Sequence, residues 1–304
     1  MRRNKAVDTP TASQVHGSDT ASSQRGRVIR TKHADYQLVP LPKAQREIAA
    51  ALRLTEHKHI IYVLTEVDVT TPRQVIHEQK ARGEEPLSFT AFIVTCLGKA
   101  VDEDKAVQAH RKGRNQLVLF QDVDVFMPVE REVEGQKVPL SLVVRAANHK
   151  TAREIHQEIR AFQKQPATQL VQEMPPWLAR VFARWPGLII RLLGWAGGRS
   201  ALLWKRMVGT CGITAVGMVG KGVGWGIPSH SPYSLMLALG GITTKPGIVD
   251  GQIAIREYLC LTVCFDHDII DGAPAARFVT RLKELIESGF GLLDQDIMAE
   301  QAST

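Results

Sequence analysis

The stretch CFDHDIIDGAPAARF (residues 264–278) decides how the rest of the chain is read. It closes a run of apolar and β-branched residues, QIAIREYLCLTVCF (252–265), that reads as a strand. Asp266 and His267 interrupt the run and Asp271-Gly272 supplies turn chemistry. A helix over 273–288 then starts, with Pro274 in its first turn, Phe278, Leu282 and Leu285 at helical spacing, and Gly289 as its stop. A histidine held between a strand end and a helix start is well placed for proton transfer, because an imidazole with a reference pKa of about 6.5 changes charge near neutral pH. His267 is therefore the first candidate catalytic residue. Asp271, one turn further on, would orient its loop or cap the helix, and Gly272 leaves room for close backbone approach.

The chain around this stretch is globular in composition. Its 304 residues are 44% hydrophobic and 23% charged, enough for one large domain or two small ones. Cys96, Cys211, Cys260 and Cys264 sit in apolar stretches without CxxC spacing, which predicts buried thiols rather than disulfides or a metal site. The absence of a long apolar run and of a signal-peptide pattern points to the cytoplasm. A net charge of +7 favours anionic partners such as phosphorylated cofactors or membrane surfaces, while no motif supports nucleic acid.

Residues 1–35 are polar with few large aliphatics and read as a disordered tail, and 295–304 as a C-terminal one. From Leu41 the pattern is helical, with Ile48, Ala49 and Leu52 on one stripe, and HIIYVLTEVDVT (59–70) follows as a strand. LSFTAFIVTCLGKAV (87–101) reads as a buried helix. QLVLFQDVDVFMPV (116–129) and QKVPLSLVV (136–144) read as two strands joined by a charged turn over 130–135. Thr151 and Glu154 form a capping box ahead of the stripe Ile155, Ile159 and Phe162. VGTCGITAVGMV (208–219) and YSLMLALGGITT (233–244) complete the strands, with Asp250-Gly251 as the turn into 252–265. Mixed strands and helices without strict alternation predict a two-layer α/β sandwich.

Phe265 to Phe278 resembles the signature of the catalytic domain of dihydrolipoamide acyltransferases, the core component of 2-oxo acid dehydrogenase complexes; chloramphenicol acetyltransferases share the shorter HxxxDG. QREIAAAL (45–52) is similar to the family's opening helix, TEVDVT (65–70) to its first core strand, and VGTCGITAVGMVG (208–220) to its Gly-Gly-Thr-Phe-Thr-Ile-Ser-Asn-Leu-Gly strand. The resemblance implies a chloramphenicol acetyltransferase-like sandwich with a mixed sheet over 36–294, and an acyltransferase using coenzyme A as substrate. It makes His267 the general base, Asp271 the loop-orienting residue and Thr214, 53 residues before His267, the counterpart of the family's oxyanion-stabilising serine. The added methyl of Thr214 alters that group, and read without the family it is simply a β-branched strand residue. Other departures are Asp268 where the family usually has Arg, and Gln45 near a family arginine, with Arg46 adjacent. No residue is assigned to coenzyme A. The family's channel lies between subunits, which implies a homotrimer or larger assembly with His267 from one chain and the Thr214 counterpart from its neighbour, and ESGFGLL (287–293) resembles its C-terminal segment that joins trimers into larger cores.

The 35 polar residues at the start do not encode a lipoyl domain, and Lys105 in DEDKA (102–106) reads as a solvated lysine, so the expectation is no covalent lipoyl group on this chain and an acyl or lipoyl carrier protein as partner. Inserted at about 172–207 is a Trp- and Arg-rich segment, whose core (176–206) holds four of the five tryptophans, six Arg or Lys and no acid. It reads either as a peripheral membrane contact or as a lid or subunit contact, and its Pro and Gly breaks favour the second. A small hydroxyl or amine acceptor, or a non-catalytic trimeric scaffold, are the other functions open at this point.

Overall fold

The computed structural model describes residues 58–133, 136–165, 200–215, 224–228 and 230–292, with isolated residues among 39–56 and 192–196. Met1–Gln45 forms a unit of its own and Arg46–Thr304 the body. Both tails and most of the Trp- and Arg-rich segment lie outside the described residues.

In the body, β1 (Ile60–Asp68) leads through α1 (Thr70–Ala81) and α2 (Phe89–Glu103) to a short 3-10 turn, Lys105–Gln108. The small hairpin β2 (His110–Lys112) and β3 (Gln116–Val118) precedes the long hairpin β4 (Val125–Val133) and β5 (Gln136–Val144). Then come α3 (Ala152–Lys164), α4 (Ala201–Val208), β6 (Cys211–Ala215), β7 (Leu235–Val249), β8 (Gln252–Asp266) and α5 (Gly272–Glu287). The main sheet runs β1-β8-β7-β6-β4-β5. β6 pairs parallel with both β4 and β7, and the other pairs are antiparallel, so the sheet is mixed as expected.

The expected elements form where the apolar pattern is strong. The capping box of α3 is complete: the Glu154 amide donates to Thr151 Oγ1, and the Thr151 amide donates to the Glu154 carboxylate at 2.7 Å. Ile155, Ile159 and Phe162 are buried beneath it. The Asp250-Gly251 turn has φ of 51° and 77°, the left-handed pair that a two-residue hairpin needs. Three boundaries differ. The run 116–129 divides into β3 and β4, because the Phe120 and Asp122 carbonyls accept from the Gln108 amide group and the Val123 amide donates to Asn148. Backbone groups satisfied by side chains leave the ladder. Residues 130–133, expected in a turn, continue β4 as far as the Val133–Gln136 pair. And α1 is a helix the pattern did not announce, since only Pro72, Val75 and Gln79 are buried in it.

The core lies between one face of the sheet and helices α2, α3 and α5. Leu235, Leu237 and Leu239 of β7 and Leu259, Leu261, Val263 and Phe265 of β8 supply the sheet side. Phe265 meets Phe278 of α5 edge-on, with ring centroids 5.8 Å apart, so the strand and helix of the opening motif are locked together by the aromatic pair within it. Past this core the β7–β8 hairpin continues. A bulge sets Gly240 and Gly241 opposite Cys260 alone, so the core-facing parity of β7 moves from odd to even residues. Gly240 permits no side chain, because a Cβ there would stand 2.2 Å from the Gly224 carbonyl oxygen. Beyond the bulge, Ile248 pairs with Ile253 and Pro246 with Ile255, which extends the core face into an arm. The helices end before the sheet does: Ile248, Ile253 and Ile255 are 79%, 83% and 79% exposed.

Candidate active site

β8 ends at Asp266, and His267, Asp268 and Ile269 form a turn closed by the Ile269 and Ile270 amides donating to the Asp266 carbonyl at 3.0 Å. The His267 amide donates to the His59 carbonyl at 2.7 Å, which prolongs the β1–β8 ladder by one rung. The imidazole itself is exposed, and among the described residues it has no hydrogen-bond partner. Its backbone is fixed and its ring is open to solvent.

Charged side chains hold the turn from both flanks. Buried Asp266 pairs through Oδ2 with Lys58 Nζ at 3.1 Å and accepts the Asp268 amide on Oδ1 at 3.2 Å. Asp268 meets His59 Nδ1 through Oδ1 at 2.9 Å and accepts from Arg111 Nη1 on Oδ2 at 3.0 Å. His110, next to Arg111, is held below the usual imidazole range by burial and by the Lys58 charge. Sequence reasoning passed over Lys58, His59 and Arg111, which lie far from His267 along the chain. The signal available was Asp268 itself: an acid where the family has a base needs basic partners.

Asp271 occupies the N-cap position of α5, but its carboxylate makes no capping hydrogen bond, and the expected cap is not formed. The reason lies two residues on, at Pro274, the third residue of the helix, where the usual donor N–H is missing. The carboxylate is exposed and, among the described residues, has no side-chain partner.

Thr214 lies in β6, half-buried, paired with Ala238. Strand alternation turns it away from the helices, while its neighbours Ile213 and Ala215 line a cavity of about 610 Å³ on the helix face with Met127, Val129 and Ile159. The structure does not bring Thr214 and His267 of one chain together. Thr214 is level with Ala238, which is level with Thr262 on β8, five residues before His267. At strand dimensions this is about 17 Å along the sheet and about 10 Å across it, hence about 20 Å between the two residues.

At the end of the Trp- and Arg-rich segment, α4 packs on its own chain. Trp204 lies 5.8 Å from the His110 ring, Lys205 pairs with Asp122 at 2.8 Å, and Arg145 donates to the carbonyls of Lys205 and Arg206. Lys105 is tied to Gln121 and Asp102 on a 3-10 turn. All four cysteines are free and buried.

The family described as 2-oxoacid dehydrogenases acyltransferase (catalytic domain) matches residues 33–173 and 206–293. The chain is 36% identical over 290 residues to the dihydrolipoyllysine-residue acetyltransferase component of the pyruvate dehydrogenase complex of Zymomonas mobilis. That match covers 93% of this chain and 57% of the relative. Among solved structures, a probable dihydrolipoamide acetyltransferase from Listeria monocytogenes superposes with a TM-score of 0.60 at 20% identity, covering 84% of this chain and 96% of that one. The cubic core of the pyruvate dehydrogenase multienzyme complex does so with 0.62 at 18%, covering 86% and 96%. With the motif at 264–278 placed at a strand-to-helix turn of this fold, and matches on both sides of residues 174–205, the chain belongs to the 2-oxoacid dehydrogenase acyltransferase family and carries its catalytic domain.

Proposed function

We propose that the protein transfers an acyl group between coenzyme A and the thiol of a lipoyl group, with His267 as general base. One observation carries this reading: an exposed imidazole, without a side-chain partner among the described residues, on a turn fixed by backbone and ion pairs, at the family's motif. The imidazole removes the proton of the acceptor thiol, whose reference pKa of about 8.5 lies above its own of about 6.5. The thiolate attacks the thioester carbonyl and the carbonyl electrons move to oxygen. The intermediate collapses by expelling the other thiolate, which takes the proton back from the imidazolium. A hydroxyl donor at the oxyanion stabilises this intermediate by roughly 3 kcal/mol.

We assign that donor to Thr214 of a neighbouring copy. A separation of about 20 Å within one chain exceeds by far the hydrogen-bond reach that base and donor must both have to one reacting carbon. The apolar stripe of the β7–β8 arm, with Ile248, Ile253 and Ile255 largely exposed, supports such an association, because an uncovered apolar surface of this kind seeks a partner. A cyclic trimer is the smallest assembly the family resemblance implies, and the cubic core is the larger one. In this reading Asp271 orients the loop that carries His267, and the lipoyl group comes on a carrier domain rather than on Lys105. Residues 176–206 act as a lid or subunit contact, in keeping with the way Trp204 and Lys205 pack.

The test is transfer from acetyl-coenzyme A to dihydrolipoamide. His267→Ala should lower the rate at least about a hundredfold with the fold intact. An unchanged rate rules the assignment out.

A further inference from the structure

We infer that Asp268 is a positioning residue for the reaction, acting through a clamp that ties the His267 turn to two distant segments. The inference rests on His267 being the base. The turn leaves the sheet at Asp266 and rejoins secondary structure only at Gly272, so His267 sits in a span with two backbone anchors, its own amide on His59 and the turn closed on the Asp266 carbonyl. Asp268 adds the side-chain anchor. One carboxylate oxygen meets His59, the residue whose carbonyl receives the His267 amide; the other accepts from Arg111 on β2. Its amide, in turn, donates to Asp266, which Lys58 holds. Asp266 is thus pinned by Lys58, and Asp268 by His59 and Arg111, so that Asp268 is the point where the residues leading into β1, β2 and the turn meet.

Among the described residues the imidazole has no side-chain partner to orient it, so its direction follows the backbone of this turn. A displacement of about 1 Å at a reacting group can lower a rate by about a hundredfold, whereas it changes substrate affinity little when the moved group does not bind substrate strongly. The clamp therefore acts on turnover. It is also separable from the fold, because Asp268, His59 and Arg111 are surface residues, and exposed ion pairs add little to global stability. The sequence departs from its family here, with an acid after the histidine; Arg111 supplies the complementary charge, and His59 Nδ1 stands 2.9 Å from the same carboxylate.

Asp268→Ala, Asp268→Arg, and Asp268→Arg combined with Arg111→Asp should be compared by transfer from acetyl-coenzyme A to dihydrolipoamide, alongside His267→Ala. Hydrogen exchange over residues 264–272 should be followed in the same proteins. Asp268→Ala should lower kcat about tenfold with KM within about twofold, and should speed exchange at the His267 amide about tenfold while the melting temperature stays unchanged. Reversing both charges should recover about fivefold of what Asp268→Arg loses. Unchanged kcat and unchanged exchange in Asp268→Ala would overturn the clamp while leaving the base intact, as would failure of the double reversal to recover any activity. Full activity in His267→Ala would overturn the base and the clamp together. Unchanged exchange in Asp268→Ala overturns the clamp even where neither parent nor variant turns over the probe.

Discussion

If each site takes its base from one copy and its oxyanion donor from the next, two individually inactive variants should repair each other. His267→Ala retains a good Thr214 and Thr214→Ala a good His267. The expected loss in each pure variant is at least about a hundredfold for the base and about a hundred- to a thousandfold for the donor. In a cyclic assembly formed from an equal mixture, a site works only when the chain giving His267 is the Thr214→Ala variant and the chain giving Thr214 is the His267→Ala variant. Random assortment satisfies both conditions in about one site in four, whatever the number of chains in the ring. Mixing after mild dissociation should therefore bring activity to about a quarter of the parent, at least tenfold above either variant alone, with subunit exchange verified by mass spectrometry of the assemblies. The figure rests on the strand register that puts Thr214 about 20 Å from its own His267. Exchanged assemblies that stay as inactive as the pure variants would refute the shared site.

Thr214→Ser should keep or raise activity, because it removes only the methyl, while Thr214→Ala loses it; equal rates for the two would reduce the hydroxyl to a strand residue. Burial pushes the Cys211 and Cys264 thiols up to about 12, where the thiolate form at pH 8 is negligible, and raises those of Cys96 and Cys260; all four side chains are closed to solvent. Iodoacetamide should label none of the four in the folded protein and all four in denaturant, counted by intact mass, and rapid labelling of any one would show that the strand, or for Cys96 the helix, that carries it opens. Anionic vesicles should neither pellet the protein nor shift its tryptophan emission. Pelleting that salt abolishes would instead make residues 176–206 a membrane contact.

What the sequence made legible follows from where information is local. The strand-turn-helix at 252–287, the capping box at Thr151 and the Asp250-Gly251 hairpin are short-range devices, and each forms where the pattern put it. α1 went unread because a helix that buries three residues presents too narrow a stripe to register. The division of 116–129 was hidden for another reason: it depends on Gln108 and Asn148, whose amides reach a backbone that only the fold brings near. Within the site, His267 was visible because its neighbours carry a motif. Lys58, His59 and Arg111 were not, since nothing in a run of basic residues says which acid it will meet. The Asp271 cap failed on a detail that was in plain sight, Pro274, which removes the donor the cap would use.

The bulge at Gly240-Gly241 has a bearing on how such a chain could change over time. It separates the stretch of β7 and β8 that the core requires from the arm beyond it, and flips the parity between them. Substitutions at Ile248, Ile253 or Ile255 leave Leu237, Leu261 and the helix contacts untouched, and an added or lost residue near the turn would be absorbed before it reached the core. If the proposed association runs through the arm, symmetry and subunit number can drift there while β6 and the end of β8, which carry Thr214 and lead into His267, stay as the core holds them. If the arm is the association surface proposed above, newly synthesised chains are vulnerable, because a monomer that has completed its core still carries a sticky ribbon. Its survival then depends on chain concentration in the moments after synthesis.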